Sequence, residues 1–307
     1  MTRRAWILMI VLAALWGSSY MFIKIAIDGG LSDTFIVFAR TLLGAAVLAP
    51  VMLTRGVMPA VRRRLGWLVV VSVVQILGPF LLITYGEHHV ASSLAGILIA
   101  SAPIWTALIV LFAVKEERLH GIGIVGTLIG IVGVGLLFGV DLSGDPDALL
   151  GGAGIFLAGL GYAAASVLAK RKLPDVPPVG IAGTITGITA LLLLPTVPFG
   201  APSEVPGLGT IAAMVVLGAG SSGLAFLIYY TLNAEIGPSR ASIVAYIAPV
   251  FSVLYGVTLL DEELTAGVVA GLALILLGSW LAADGRVPRR RRRPQAATVA
   301  DSPASTA

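Results

Sequence analysis

The chain alternates between long apolar runs and short polar ones, and the runs have the length a helix needs to cross a bilayer. At a rise of about 1.5 Å per residue, about 20 apolar residues cover the hydrocarbon core, and a spanning backbone must satisfy its own hydrogen bonds. This criterion predicts ten spans, at residues 5–27, 34–54, 66–86, 91–113, 121–140, 150–170, 178–200, 207–231, 239–259 and 264–283. The connections between them are short, so no soluble domain is inserted. The first run follows Met1 to Arg4 in the manner of a signal peptide. It is longer than the usual h-region of about 7–15 residues and has no clear A-x-A cleavage site, which predicts a retained span.

Composition agrees with an all-α membrane protein. The 307 residues are 57% hydrophobic and 12% charged, whereas soluble domains carry about 25% charged residues. Lysine and arginine fix the orientation, because short loops rich in them stay cytoplasmic. With the amino terminus inside, the inner segments hold Arg3 and Arg4; Arg55 and Arg62 to Arg64; Lys115 and Arg118; Lys170 to Lys172; Arg240; and Arg286 with Arg289 to Arg293. The remaining basic residues, Lys24 and Arg40, fall within spans, while acidic residues collect in the outer loops. The expectation is a cell (inner) membrane protein with both termini cytoplasmic. The basic tail, residues 284–307, lacks apolar periodicity and is expected to be disordered, its arginines anchoring the topology against anionic lipid rather than binding nucleic acid.

A repeat lies beneath the span pattern. Sliding the chain against itself by 146 residues aligns Lys24 with Lys170, Phe80 with Phe226, Ser93 with Ser239, Pro103 with Pro249, Glu116-Glu117 with Glu262-Glu263 and Gly121 with Gly267. Apolar matches are cheap in such a chain, but lysine, proline and paired acids are scarce in it. Residues 5–140 and 150–283 thus form two five-span repeats, and an odd number of spans makes the second repeat inverted with respect to the first. Inverted repeats provide related conformations open to either side and place a solute site near the midplane, which is a mechanism for transport.

Several short motifs then carry a resemblance. Trp16-Gly17-Ser18-Ser19, the run from Arg40 to Ala46, the Ala102-Pro103 and Ala248-Pro249 pairs, and the glutamate pair before a glycine-rich fifth or tenth span resemble the EamA-type branch of the drug/metabolite transporter superfamily. The resemblance covers residues 5–283 and implies a ten-helix exporter or exchanger. It also implies a central cavity lined by spans 1–4 and 6–9, with spans 5 and 10 peripheral.

The candidate cavity residues follow from polarity at depth. Pro103 and Pro249 remove an amide donor near the middle of spans 4 and 9, so both helices are expected to kink, with Ser101, Trp105, Ser242 and Tyr246 beside them. Gln75 and Ser221 are a repeat-related polar pair in spans 3 and 8; Gln75 either meets solute or bridges helices. Trp16 and Tyr20, matched by Tyr162 and Ser166, offer flat surfaces to a semi-apolar solute or pack the core. Arg40 is the most costly residue in the sequence, two turns inside span 2. Either it attracts a substrate carboxylate, or it pairs with Asp28, Asp33 or helix carbonyls, and the pairing is the expectation. Its repeat partner is Thr186.

Other chemistry finds little support. There is no cysteine, His88-His89 is expected to be a solvated loop pair rather than a metal site, and no cofactor is implied. None of the four lysines follows a glycine, so the chain carries no phosphate-binding loop of the G-x-x-x-x-G-K-[ST] kind. No carboxylate lies deep in a span, although Glu87 at the outer edge of span 3 remains available for ion coupling. Gly126 with Gly130 and Gly267 with Gly271 allow close helix approach, expected within the monomer although a homodimer uses the same pattern. The function these features favour is alternating-access transport of a small organic metabolite, such as an amino acid, amine or related amphiphile. The alternative is an intramembrane enzyme acting on a lipid or isoprenoid, which needs a clustered Asp, Glu or His set that this sequence does not display.

Overall fold

The computed structural model describes residues 2–113, 122–236, 241 and 243–282, and among them there is helix but no strand. Helices α1 (Arg3–Asp28) and α2 (Asp33–Thr54) are followed by the short α3 (Met58–Arg63). Next come α4 (Leu65–Gly86), α5 (Ser92–Ile99), α6 (Ala102–Ala113), α7 (Ile122–Val140) and α8 (Pro146–Lys172). Helix α9 is Pro178–Gly200. Helix α10 joins Leu208–Val215, the π-helical Val216–Leu224 and Ala225–Ile236. Helices α11 (Val244–Leu259) and α12 (Ala266–Ala282) complete the bundle.

Seven of these helical runs are long and apolar enough to cross a membrane, and the expected spans 4, 9 and 10 appear as shorter apolar helices, Ser92–Thr106, Val244–Leu259 and Ala266–Leu281. The chain is therefore a multi-pass membrane protein. Polar residues start its helices where side-chain caps are available. Thr2 accepts from the Ala5 amide at 3.2 Å, Ser32 from Phe35 at 3.3 Å, and Asp145 from Asp147 at 2.9 Å.

Burial is inverted relative to a soluble protein. Large side chains such as Ile7, Leu53, Leu128, Val132 and Leu191 face outward, where lipid rather than water is the solvent. Inside, small hydroxyl residues bond their own helix: Thr41 donates to Val37 O at 2.7 Å, Thr84 to Phe80 O at 2.8 Å and Thr186 to Ala182 O at 2.8 Å. Each hydroxyl is thereby satisfied without water.

The most extensive helix contacts join the two halves of the chain: α7 with α12, α1 with α11, α2 with α9 and α4 with α8. The α7–α12 pair uses glycines. A Cβ on Gly278 would stand 2.6 Å from both Gly126 O and Gly130 Cα, so the backbones touch. The close approach expected of these glycine rows thus occurs inside one chain, with Gly278 as well as Gly271 facing α7.

The proline pair is not symmetric in outcome. At Pro103 the helix is interrupted: α5 ends at Ile99, Ser101 N–H reaches Leu98 O at 3.1 Å, and Pro103 sits in the first turn of α6, where its missing donor costs nothing. Pro249 instead lies inside the continuous α11. The kink expected at Pro103 is therefore a break between two helices.

Candidate functional site

A cavity of about 280 Å³ opens between α1, α2, α4, α5, α8, α10 and α11 and the first residue of α6, Ala102, while α7, α9 and α12 contribute no residue to its wall. This volume is at the lower end of the range typical of small-molecule sites. Its two polar focal points sit on widened helix turns. Gln75 lies in the π-helical segment Val73–Leu77 of α4, where the Gly78 amide reaches back five residues to Val73 O. Ser221 lies in the π-helical segment of α10, where Ser222 Oγ donates to Leu217 O, also five residues back, at 3.1 Å. In both places a turn widened to five residues redirects the side chains that follow, and such segments recur at functional sites.

Small residues bring α2 against that second segment. A Cβ on Gly218 would meet Leu43 Cβ at 2.6 Å, and one on Gly223 would meet Val47 Cβ at 2.8 Å. The approach carries Arg40 inward: it is 4% exposed, its Nε donates to Ser222 Oγ at 3.4 Å, and its guanidinium carbon stands 3.8 Å over the Phe80 ring. Among the described residues Arg40 makes none of the expected pairings, with Asp28, Asp33 or a helix carbonyl. Asp28 is engaged by Lys24 at 3.2 Å and Asp33 by His88 at 2.7 Å. Both acids lie near helix ends, where Lys24 and His88 are the nearer partners.

Aromatic rings form the apolar wall. Trp16 meets Phe226 edge-on at 6.2 Å and Tyr229 at 5.3 Å, and Tyr20 and Tyr162 complete the surface. The wall extends to Val244, the first residue of α11, at the end of the bundle where Arg4 pairs with Glu235 at 2.9 Å.

At the opposite end the two halves of the chain are bonded to one another. Helix α5 begins without a side-chain cap of its own, since Ala91 occupies the cap position. The cap comes from the other half of the chain: Glu262 accepts the Ser92 and Ser93 amides at 2.7 and 2.9 Å, and Ser252 Oγ donates to Ser92 O at 3.0 Å. Asp261, at φ 53°, turns the chain so that Glu262 N–H reaches Gly256 O at 3.1 Å and its carboxylate points at α5. Beneath this cap the fully buried Glu87 accepts from Ser92 Oγ at 3.2 Å through one oxygen, while Oε1 has no partner among the described residues.

Of the residues expected at the cavity, Trp16, Tyr20, Arg40, Gln75, Tyr162 and Ser221 line it, as do Ser166 and Pro249. Three others turn elsewhere to satisfy their polar atoms. Trp105 Nε1 donates to Phe156 O at 3.0 Å, Tyr246 hydroxyl to Ser279 O at 3.2 Å, and Ser101 Oγ to Leu98 O at 2.5 Å. Ser242, the Glu116-Glu117 pair and the tail 284–307 lie outside the described residues. Thr186, the repeat partner of Arg40, is buried away from the cavity. Phe80 and Phe226 were legible only as an aligned pair, and the bridging role of Glu262 was missed. The missing cap at Ala91 was its available signal.

Comparisons with known proteins bear on the whole of this architecture. Residues 4–139 and 149–283 each match the model of the EamA-like transporter family. The chain is 29% identical to the uncharacterized inner membrane transporter YedA of Escherichia coli K12, covering 87% of this chain and 89% of that protein. It is 23% identical to the uncharacterized transporter YoaV of Bacillus subtilis, covering 87% and 92%. A protein named a probable amino-acid metabolite efflux pump, also from Escherichia coli K12, is 22% identical over 92% of this chain and 95% of its own. A solved crystal structure matches with a TM-score of 0.66 at 23% identity, covering 92% of this chain and 98% of that one, a likeness of fold.

Proposed function

The chain belongs to the EamA-like transporter family, and from that premise we propose that it carries a small organic metabolite by alternating access through the central cavity. In this reading the seven long helices and the three shorter apolar ones make ten spans in two inverted repeats, with both termini cytoplasmic and outward export or exchange as the direction. The observation that carries it is the cavity itself. Its wall draws on both family-matched segments, and Glu262 of the second closes one end against Ser92 and Ser93 of the first.

A carrier needs such a closure to be breakable. Two amide–carboxylate hydrogen bonds and one hydroxyl–carbonyl bond contribute a few kcal/mol, about what a population shift between two faces requires. The relative named as an amino-acid metabolite efflux pump supports a solute of that size class.

The test is counterflow in proteoliposomes holding the purified full chain, with a panel of radiolabelled amino acids, organic acids and amines and with an imposed pH gradient in one arm. Saturable exchange of at least one solute is expected. No exchange of any solute, together with turnover of a bilayer lipid, would overturn the reading in favour of an intramembrane enzyme.

A further inference from the structure

We propose that Arg40 is the anchor for a carboxylate on the carried solute, so that the cavity selects monoanionic or zwitterionic carboxylates over amines and amides of the same shape. The inference rests on the carrier reading above and specifies its substrate class.

Three observations lead to it. First, Arg40 is a buried cation without a counter-charge: among the described residues no carboxylate oxygen lies within 4.0 Å of its guanidinium, which stacks on the Phe80 ring at 3.8 Å and donates one hydrogen bond, from Nε to the neutral Ser222 hydroxyl at 3.4 Å. Neither Nη group has an acceptor among the described residues. Glu87, the buried carboxylate beneath the α5 cap, has one oxygen on Ser92 Oγ at 3.2 Å and forms no ion pair with Arg40. Second, the cavity wall contains Arg40 and no carboxylate, so the space in front of it is net positive. An unneutralised cation within a bundle is costly, and low-dielectric walls strengthen its attraction for an anion. Third, Ser221, 2% exposed and on the cavity wall, has a buried Oγ with no partner, and the Gln75 amide on the facing π segment makes no hydrogen bond to a described residue.

The chemistry fits one ligand group. A guanidinium with two free donors presents a fork that matches a carboxylate. Ser221 and Gln75 add neutral donors from the other repeat-related positions. Trp16 and Phe226 offer an apolar wall to the body of the solute. An ammonium without a carboxylate would meet Arg40 with like charge and no wall acid to offset it.

The test uses two matched sets that differ only in the charged group: phenylacetate, phenylalanine, phenylacetamide and phenethylamine, and the corresponding set with an isobutyl body. Binding is read as thermal stabilisation of the detergent-solubilised full chain, and transport as counterflow in proteoliposomes. The carboxylates are expected to bind at least ~10-fold more tightly than the amide and amine. Arg40→Gln is expected to abolish that preference by weakening the carboxylates, and Ser221→Ala to weaken carboxylates a few-fold. Should Arg40→Gln not fold, the wild-type comparison across each set decides alone. Absence of carboxylate preference in both sets, or its survival in a folded Arg40→Gln protein, overturns the anchor. Counterflow of amines or amides without such preference overturns the anchor and leaves the carrier standing. Carboxylate-selective stabilisation with no counterflow of any solute, together with turnover of a bilayer lipid, overturns the carrier and leaves the carboxylate site.

Discussion

The carboxylate of Glu262 accepts the backbone amide of Ser92 at 2.7 Å, joining the loop after α11 to the first turn of α5. A second oxygen takes Ser93 at 2.9 Å, so one side chain from the second half of the chain caps a helix of the first. A carboxylate at a helix N-terminus meets both free amides and the positive end of the helix dipole.

Removing that cap should loosen the closed end. Glu262→Ala is expected to lose about 1–3 kcal/mol of closure, and Glu262→Gln a smaller part. The chain has no cysteine, so a single cysteine at the cavity-wall position Ile83 reports the change without background. Its labelling by a membrane-impermeant maleimide should accelerate several-fold when Glu262 is replaced by alanine. Unchanged labelling would show that the cap does not hold this end shut.

The α7–α12 contact should be intolerant of added volume. Because Gly278 faces backbone atoms of Gly126 and Gly130, the clash in Gly278→Val cannot be relieved by a side-chain rotation. A loss of about 1–3 kcal/mol is expected, seen as a lower Tm of the solubilised protein. Neither helix forms part of the cavity wall, so the solute KM of the surviving protein should stay at the wild-type value.

A buried hydroxyl pair should contribute measurably to α4–α9 packing. Ser72 Oγ donates to Ile185 O at 3.0 Å and stands 2.9 Å from Thr189 Oγ1, with both residues fully buried. A double-mutant cycle with Ser72→Ala and Thr189→Val should return a coupling of about 0.6 kcal/mol, the usual size for hydrogen bonds between membrane helices. A coupling of zero would mean that both hydroxyls bond the Ile185 carbonyl and not one another.

At the helix ends one acid should register as acid sensitivity. Asp175 accepts from Arg64 Nε at 3.0 Å and from Arg63 Nη2 at 2.9 Å. Desolvation pushes its carboxyl up, but the Arg64 hydrogen bond, a backbone bond, the Arg64 charge and the Arg63 hydrogen bond outweigh it and hold the group below the usual carboxylate range. A depressed folded-state value means that this contribution is complete above the unfolded-state value and is lost as pH falls through the folded one. Asp175→Asn should therefore lower Tm modestly at neutral pH, where the contribution is complete, and flatten its decline below about pH 4, where wild type and variant converge. An unaltered acid limb would remove the arginine pair as its cause.

Much of the fold could be read along the chain because lipid-spanning helices obey a local rule. Each of the spans at residues 34–54, 66–86 and 178–200 corresponds to a helix whose ends fall within a residue or two, since about 20 apolar residues in a row leave the backbone one way to satisfy itself. The 146-residue offset likewise paired Gln75 with Ser221 before any geometry was known, and both proved to lie on π-helical turns of one cavity wall. Polarity at depth was a sound guide to Arg40 because a buried cation has few affordable places to go.

The sequence alone determined what depends on near neighbours: the long helices, the paired positions in the two halves, and which polar residues are costly enough to need a purpose. Tertiary structure decided what depends on who reaches whom. Trp105 and Tyr246 have the same character as Trp16 and Tyr20, yet their N–H and O–H groups found carbonyls on α8 and α12 and left the cavity. Asp28 and Asp33 were plausible partners for Arg40 until Lys24 and His88 took them. Glu262 had no local reason to prefer Ser92, 170 residues away, until the two halves packed and exposed an uncapped helix end beside it. Hydrogen bonds and ion pairs are won by distance in space, which the order of residues does not record.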